Sequence, residues 1–218
     1  MDLPPDPVLS DADLDALGRA KDILRTAVVR RRAMRTPAER EADDLARAAR
    51  VHDLVGASAG PDLVVAAYLS VDPEPSSLGV VAWLADRGVR VMLPVLTDLR
   101  EPDWADFAGM DRLRLRRRGI AEPTTPPLGA DALAVAGMII CPGLAATPTG
   151  HRLGTGSGWY DRALTHADDG AVVCLLLNDD EVMDTLPVQP WDRPVDVVVT
   201  PDRLINCAGT RDGAGPDE

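Results

Sequence analysis

The 218-residue sequence is poor in aromatic residues, in lysine and in cysteine, and each shortage narrows what the protein can be. Only 3% of the residues are aromatic, so the hydrophobic core has to be built from Ala, Val, Leu and Ile. Three widely spaced cysteines, Cys141, Cys174 and Cys207, cannot form a complete set of disulfides and are typical of a reducing compartment. A single lysine, Lys21, stands among 23 basic residues, which draws attention to that position because Lys and Arg bind anions differently.

Long apolar runs are also missing. No stretch approaches the length needed to cross a bilayer, and the acidic N-terminal sequence MDLPPDPVLSDADLDALG lacks the apolar core of a signal peptide. A formal net charge of −12 argues against nucleic acid or an anionic membrane surface as the main partner, while allowing a locally basic pocket. We therefore expect a soluble, cytoplasmic monomer with a single domain over residues 1–218 and flexible tails at about 1–9 and 209–218.

The apolar pattern predicts helices that alternate with strands. Two helices are expected first, over about residues 12–34 with Ser10 or Asp11 as the cap, and from Thr36-Pro37 to about Val55. The predicted strands are residues 63–70, 89–96, 112–118, 137–143, 171–178 and 195–200, and the predicted shorter helices are 76–87, 130–136 and 159–167. Because most of these strands are continuous apolar runs, the pattern indicates a mainly parallel sheet that is covered on both faces.

The segment GHRLGTGSGWYDRAL, residues 150–164, is the main candidate for a ligand site. Its four glycines lie between a predicted strand and a predicted helix, where α/β sheets bind ligands and helix N-termini attract phosphate. It is not a Walker loop, it lacks the third glycine of a dinucleotide fingerprint, and no nucleophile elbow surrounds Ser157. A surface loop without a ligand is the alternative, although Arg152, Tyr160 and Asp161 are chemically too specific for one.

Other candidate residues also have simple structural explanations. Lys21 and Arg25 share one helix face, and the neighbouring run of Arg30, Arg31 and Arg32 favours a solvated basic face there. Glu74 is also explained as a cap of the next helix, and Asp192 as a turn residue. The histidines do not have the spacing of a zinc site and are explained as solvated or capping residues: His52, His151 and His166.

The stretch PGLAATPTGHRLGTGSGWYDRAL resembles the signature of the 5-formyltetrahydrofolate cyclo-ligase (5,10-methenyltetrahydrofolate synthetase) family, which is roughly P-G-[LV]-[AG]-F-D-x-x-G-x-R-L-G-x-G-x-G-Y-Y-D. Supporting segments follow in the family's order: Lys21 with Arg25, YLSVDPE at 68–74, Leu93-Pro94, GIAEP at 119–123, and LPVQPWDRPVDVVVT near the end. The resemblance covers roughly residues 20–205. It implies a three-layer α/β/α fold with a mainly parallel sheet, like that of NagB, RpiA and the CoA-transferases.

The resemblance also implies a role for each matched position. ATP would be bound by Lys21, Arg25, Arg152, Leu153, Gly154, Thr155, Gly156, Ser157, Gly158, Trp159 and Tyr160, of which Lys21, Arg25 and Arg152 are the catalytic cations. The folate would contact Leu69, Glu74 and the loop residues from Thr155 to Trp159. Asp161 and Asp192 would hold Mg²⁺, which prefers oxygen ligands.

The implied reaction is the ATP- and Mg²⁺-dependent cyclisation of 5-formyltetrahydrofolate to 5,10-methenyltetrahydrofolate, with release of ADP and phosphate. In the family's chemistry the formyl oxygen attacks the γ-phosphate, and N10 of the substrate then displaces phosphate. Both nucleophiles belong to the substrate, so the protein supplies positioning and charge neutralisation rather than a nucleophile.

The chain departs from the family pattern at a few positions. Ala146 and Thr147 stand where the family has Phe-Asp, Trp159 replaces a Tyr, and Glu181 lies about where many members have Gln. The change at Ala146 and Thr147 leaves the loop geometry and the substrate preference open. Two other functions also stay open: a folate- or nucleotide-binding relative without catalysis, and an ATP-independent α/β enzyme of the sugar-phosphate isomerase class.

Overall fold

A computed structural model of the chain describes residues 9–96, 101–116 and 119–207. Its helices are α1 (Asp11–Ala33), α2 (Pro37–Val55), α3 (Leu78–Asp86) and α4 (Trp159–Ala163). Its strands in chain order are β1 (Val64–Ala66), β2 (Arg90–Pro94), β3 (Trp104–Asp106), β4 (Leu113–Leu115), β5 (Ala121–Pro123), β6 (Met138–Cys141), β7 (Ala145–Ala146), β8 (Arg152–Leu153), β9 (Val172–Leu176), β10 (Val197–Val199) and β11 (Leu204–Asn206).

Seven strands form the main sheet, in the order β11-β10-β9-β6-β1-β2-β3. The five central strands run parallel, and the two edge strands, β3 and β11, are antiparallel to their neighbours. Two small sheets lie outside it, formed by β4 with β5 and by β7 with β8. The parallel centre predicted from the continuous apolar runs is therefore confirmed.

Successive residues of the central strands face two separate hydrophobic cores. In β1, Val65 packs into the core that contains Val51 of α2 and Leu84 of α3. The next residue, Ala66, packs into the opposite core, which contains Leu133 and Ala163 of α4. Both faces of the sheet are thus covered, which explains why the strands are apolar at consecutive positions and gives the predicted three-layer arrangement.

The first two helices begin at capping boxes, whose cap residues are Ser10, one of the two predicted candidates, and the predicted Thr36. The Ser10 hydroxyl accepts from the Asp13 backbone N–H at 3.3 Å while Asp13 accepts from the Ser10 N–H at 3.0 Å, and Thr36 and Glu39 repeat the arrangement at α2. Val28, which is buried on the inward face of α1, packs in a third cluster with Leu144, Ala145 and Leu153. The β7–β8 ribbon therefore fixes α1 beside the glycine loop.

Some predicted elements differ from the observed ones. Residues 112–118 contain the short strand β4, which pairs with β5 and is not part of the main sheet. Residues 130–136 form a 3-10 helix, and 159–167 divide into α4 and a 3-10 turn. Strands β3, β5, β7, β8 and β11 were not predicted, because two or three residues carry too little periodicity. Of the predicted tails, 1–8 and 209–218 lie outside the described residues, and within those described no helix is long and apolar enough to cross a membrane.

Candidate active site

The glycine loop joins β8 to α4 and lies against the side of α1. Gly156 has a φ of +105°, a conformation that other residues rarely adopt, and Gly158 has a φ of +63° at the start of α4. A Cβ atom on Gly156 would lie 3.4 Å from the Arg25 guanidinium. The loop therefore needs glycine both for its backbone conformation and because an arginine lies against it.

One stripe of α1 carries two of the basic residues of the site, Lys21 and Arg25. Arg25 donates from Nε to the Gly154 carbonyl at 2.9 Å and from Nη1 to Asp22 at 2.6 Å. Lys21, one turn earlier, is only 4% exposed, donates from Nζ to Gln189 Oε1 at 2.9 Å and forms an ion pair with Asp192. The alternative of a solvated basic face is therefore wrong for Lys21, because its ammonium group is buried against the side chains of Gln189 and Asp192.

Arg152 and Asp161 form a second ion pair at the other side of the loop. Arg152 Nη2 lies 2.5 Å from Asp161 Oδ1, and the Arg193 backbone N–H donates to the same carboxylate oxygen at 3.3 Å. The Nε atom of Arg152 is buried and has no hydrogen-bond partner among the described residues. Each predicted metal-binding carboxylate thus contacts a predicted phosphate-binding cation.

The donor set fits a magnesium ion bound together with phosphates. Among the residues that the structure describes, no cluster of three or more His, Cys, Asp or Glu side chains could hold a metal ion by itself. Mg²⁺ commonly takes one or two carboxylates and completes its shell with waters and substrate phosphate oxygens. Asp161 and Asp192 line the same pocket beside Lys21 and Arg152, as such a site requires.

Two of the pockets that border the glycine loop adjoin each other along α1. The first, here the glycine-loop pocket, contains most of the predicted ATP and metal residues: Lys21, Arg25, Arg152, Gly154 to Tyr160, Asp161 and Asp192. The second, here the Glu74 pocket, has a volume of about 490 Å³ and is bordered by Glu74, Arg32 and Leu144. Arg25 and Thr155 line both pockets, so a ligand in one would meet a ligand in the other at these two residues.

Glu74 and Arg32 are two of the charged residues that line the Glu74 pocket. The Glu74 carboxylate accepts a hydrogen bond from the Val71 backbone N–H at 2.9 Å. It therefore stabilises the turn over residues 71–74 and does not cap α3. Burial raises the pKa of Glu74, and the nearby Arg32 guanidinium partly offsets this rise. Arg32 is itself buried in a two-pronged ion pair with Glu181, at 2.7 and 2.8 Å, and donates to the Gly143 carbonyl at 2.8 Å.

Some predicted site residues lie elsewhere. Leu69 is buried in the core on the α2–α3 side, and Leu153 packs against α1 in the third cluster. Trp159 lines the glycine-loop pocket and packs edge-on against Trp104 and Tyr160, with ring centroids 5.2 and 4.8 Å away. Of the loop residues Thr155 to Trp159, Thr155 is the one that also lines the Glu74 pocket.

The sequence reasoning missed several residues of these pockets, among them Gln189, Arg32 and Trp191. Gln189 accepts a hydrogen bond from Lys21 and donates its backbone N–H to Asp192 at 2.8 Å, so it contacts both members of the Lys21–Asp192 ion pair. Its position three residues before Asp192 in a proline-flanked segment was the available signal. Arg32 lies eleven residues after Lys21, which is three helical turns along the same stripe.

The cysteine nearest the site is not an activated nucleophile. Cys141, at the end of β6, is fully buried, and burial raises the pKa of its thiol to about 11 even though Arg152 acts in the opposite direction. The thiol is therefore protonated at neutral pH, and a thiolate is the reactive form of cysteine. The pockets offer cations, carboxylates and backbone amides, which suit phosphate binding and charge neutralisation.

By fold and site, the chain falls in the class of three-layer α/β enzymes whose ligand pocket lies at the carboxyl ends of parallel strands. Within that class, the model of the 5-formyltetrahydrofolate cyclo-ligase family matches residues 18–201. The chain belongs to the 5-formyltetrahydrofolate cyclo-ligase family. The family predicted from the glycine-rich stretch is therefore confirmed.

Individual relatives agree with this assignment. The chain is 34% identical over 201 residues to a 5-formyltetrahydrofolate cyclo-ligase of Mycolicibacterium smegmatis, covering 86% of this chain and 96% of the relative. It is 31% identical over 143 residues to the enzyme of that name from Escherichia coli, covering 64% and 79% of the two chains.

Solved structures support the fold. The NMR structure of Aquifex aeolicus 5,10-methenyltetrahydrofolate synthetase has a TM-score of 0.74 and 24% identity, and the alignment covers 91% of this chain and 96% of that one. A 5,10-methenyltetrahydrofolate synthetase from Mycoplasma pneumoniae has a TM-score of 0.66 and 17% identity, covering 83% and 98%. The mixed α/β fold with a mostly parallel central sheet is thus shared with both.

Proposed function

We propose that this chain catalyses the ATP- and Mg²⁺-dependent cyclisation of 5-formyltetrahydrofolate to 5,10-methenyltetrahydrofolate, releasing ADP and phosphate. The supporting observation is the pair of adjoining pockets that share Arg25 and Thr155. One pocket offers the cations and backbone amides that bind phosphates, and the other is large enough for a folate. A γ-phosphate in the first pocket would lie next to a formyl group in the second.

The phosphate-binding work would fall to residues already held in place. Lys21 and Arg152 would exchange their carboxylate partners for phosphate oxygens, while the glycine loop supplies backbone N–H groups. A Mg²⁺ ion on Asp161 and Asp192 would neutralise phosphate charge. Arg25, which borders both pockets, would stabilise the charge that develops while the phosphoryl group passes from ATP to the formyl oxygen.

The second step requires proximity between N10 and the formyl carbon of the substrate and no protein nucleophile. N10 of the substrate attacks the activated formyl carbon and loses its proton, and the new C–N bond closes the ring. The carbon–oxygen bond then breaks, and the former formyl oxygen leaves as part of phosphate. Holding the folate so that N10 faces that carbon is the contribution of the Glu74 pocket. The buried and protonated Cys141 thiol has no part in this scheme.

The test is to mix the purified protein with 5-formyltetrahydrofolate and Mg-ATP and to follow the methenyl product by absorbance and ADP by a coupled assay. We expect product with the wild type and loss of turnover with Lys21→Ala and Asp161→Ala. The matched control is Arg19→Ala, an exposed residue on α1 outside both pockets, which should keep the wild-type rate. Absence of both products with the wild type would refute the proposed activity, and full activity of both site variants would refute the residue assignment.

A further inference from the structure

Trp191 is an exposed tryptophan at the mouth of the glycine-loop pocket. All seven aromatic residues of the chain lie in its described part, and Trp191 is the exposed one among them, with 55% of its surface accessible. The other three tryptophans pack against rings: Trp83 against His52, and Trp104 and Trp159 against each other. Within the described ranges, no ring lies against Trp191. The indole surface of Trp191 is therefore accessible to a planar ligand.

Trp191 also lies where two pockets meet. Beyond the glycine-loop pocket is an outer pocket of about 640 Å³. The two pockets have Trp191 and Asp192 in common, together with Asp161 and the loop residues from Gly156 to Gly158. A ligand whose phosphates lie near Lys21 would therefore extend past Trp191 if its other end occupied the outer pocket.

The backbone around Trp191 is held firmly. The flanking Gln189 contacts Lys21 and donates from Nε2 to the Leu14 carbonyl at 3.3 Å, and the Asp192 N–H donates to the Gln189 carbonyl at 3.0 Å. Pro190, which precedes Trp191, has a fixed φ and also restricts the backbone of Gln189. The indole is thus exposed on a segment anchored to α1, which lowers the entropy lost when a ligand stacks on it.

From this placement we infer that Trp191 stacks on the nucleobase of the nucleotide whose phosphates lie in the glycine-loop pocket. The inference rests on the proposed function, because it takes that nucleotide to be ATP. An indole face binds any base through its π-surface and binds the larger purine ring more strongly than a pyrimidine. Trp191 would therefore add affinity for the base, while Lys21 and Arg152 bind the phosphates.

The experiment measures binding without turnover. Titration calorimetry with Mg²⁺ present would give Kd for ATP, UTP and inorganic tripolyphosphate, which has phosphates but no base, on the wild type, Trp191→Ala and Trp191→Phe. We expect Trp191→Ala to raise Kd for ATP about tenfold, with a smaller rise for UTP and a change within about twofold for tripolyphosphate. Trp191→Phe, which keeps an aromatic face, should stay within about threefold of the wild type. Val135→Ala, at a similarly exposed apolar residue outside the pockets, is the matched control and should change nothing.

A spectroscopic readout separates stacking from a purely structural effect. The difference in iodide quenching between wild type and Trp191→Phe reports on Trp191, and ATP should protect that fluorescence while tripolyphosphate should not. An unchanged Kd for ATP in Trp191→Ala would overturn the inference, and so would equal losses for ATP and tripolyphosphate. A loss of affinity for 5-formyltetrahydrofolate alone would assign the indole to the pterin and overturn it too. If the wild type bound no nucleotide at all, the proposed function would be refuted, and the inference about Trp191 would be refuted with it.

Discussion

The buried ion pair between Arg32 and Glu181 should be the most sensitive electrostatic contact in the fold. The two side chains are 2% and 1% exposed, and the Glu181 carboxylate also accepts from the backbone and side-chain N–H groups of Asn178 at 2.9 and 2.8 Å. Replacing Glu181 by Ala leaves a guanidinium in the interior without its counter-charge. Removing one partner of such a buried pair lowers the free energy of unfolding by about 3–5 kcal/mol.

That cost translates into a large shift in melting temperature. For a chain of this size each kcal/mol changes Tm by about 2–4 °C, so Glu181→Ala should melt about 6–20 °C below the wild type. The neighbouring Asp180 provides a matched control, since its pairs with Arg31 and Arg35 are partly exposed. Asp180→Ala should cost at most about 1 kcal/mol. Differential scanning calorimetry at neutral pH measures both.

A double variant tests whether the penalty comes from the stranded charge. Arg32→Met combined with Glu181→Leu removes both charges and fills similar volume, so it should recover most of the stability that Glu181→Ala loses. If Glu181→Ala melts as close to the wild type as Asp180→Ala does, the reasoning about burial is refuted. If the double variant is less stable than the single one, the lost hydrogen bonds of the pair, among them the one to the Gly143 carbonyl, cost more than the stranded charge.

Three further changes probe the two pockets. Gly156→Ala should lower the free energy of unfolding by about 1–2 kcal/mol and raise KM for ATP, because the φ of Gly156 is +105° and an added Cβ would lie 3.4 Å from the Arg25 guanidinium. Gly79→Ala is the control in the same thermal melts, since a Cβ there would have no atom within 4 Å. Glu74→Gln should raise Tm at pH 7, because burial raises the pKa of Glu74 and its charged form therefore opposes folding. This gain should vanish in melts below about pH 4.5, the ordinary glutamate pKa, because the wild-type carboxyl is then protonated in both the folded and the unfolded protein. Gln189→Ala removes one of the two acceptors of the buried Lys21 ammonium group and should raise KM for ATP about threefold to tenfold in steady-state assays. Gln189→Glu keeps this acceptor but adds a negative charge among the phosphate-binding residues, so it should not restore KM.

The sequence was most informative where the chemistry is local. The glycines from 154 to 158, the capping boxes of α1 and α2, and the consecutive apolar residues of the central strands are all readable from near neighbours. They were enough to predict a mainly parallel sheet covered on both faces and a ligand-binding loop, and the resemblance added the three-layer fold and the site residues around the loop. The same local reasoning left Arg32 among solvated basic residues, because nothing near it in the chain indicates burial.

The contacts that sequence reasoning missed join distant parts of the chain. Arg32 meets Glu181 across 149 residues, and Lys21 meets Gln189 across 168. The strands β7 and β8 have two residues each and exist because they pair with one another and pack under Val28. Their stability comes from tertiary contacts, so neither propensity nor periodicity could have predicted them.

Helix α1 explains why these distant contacts lie in one place. Its inward stripe places Lys21 in the glycine-loop pocket, Arg25 at the border of the two pockets, and Arg32 beside the Glu74 pocket. At about 1.5 Å per residue, Lys21 and Arg32 are about 16 Å apart along the axis, which is long enough to span a nucleotide's phosphates and an adjoining second substrate. Val28, between them, fixes the helix to the β7–β8 ribbon that leads into the loop. A rigid helix therefore sets the spacing of the two sites, and a substitution that tilts α1 should impair binding of both substrates together.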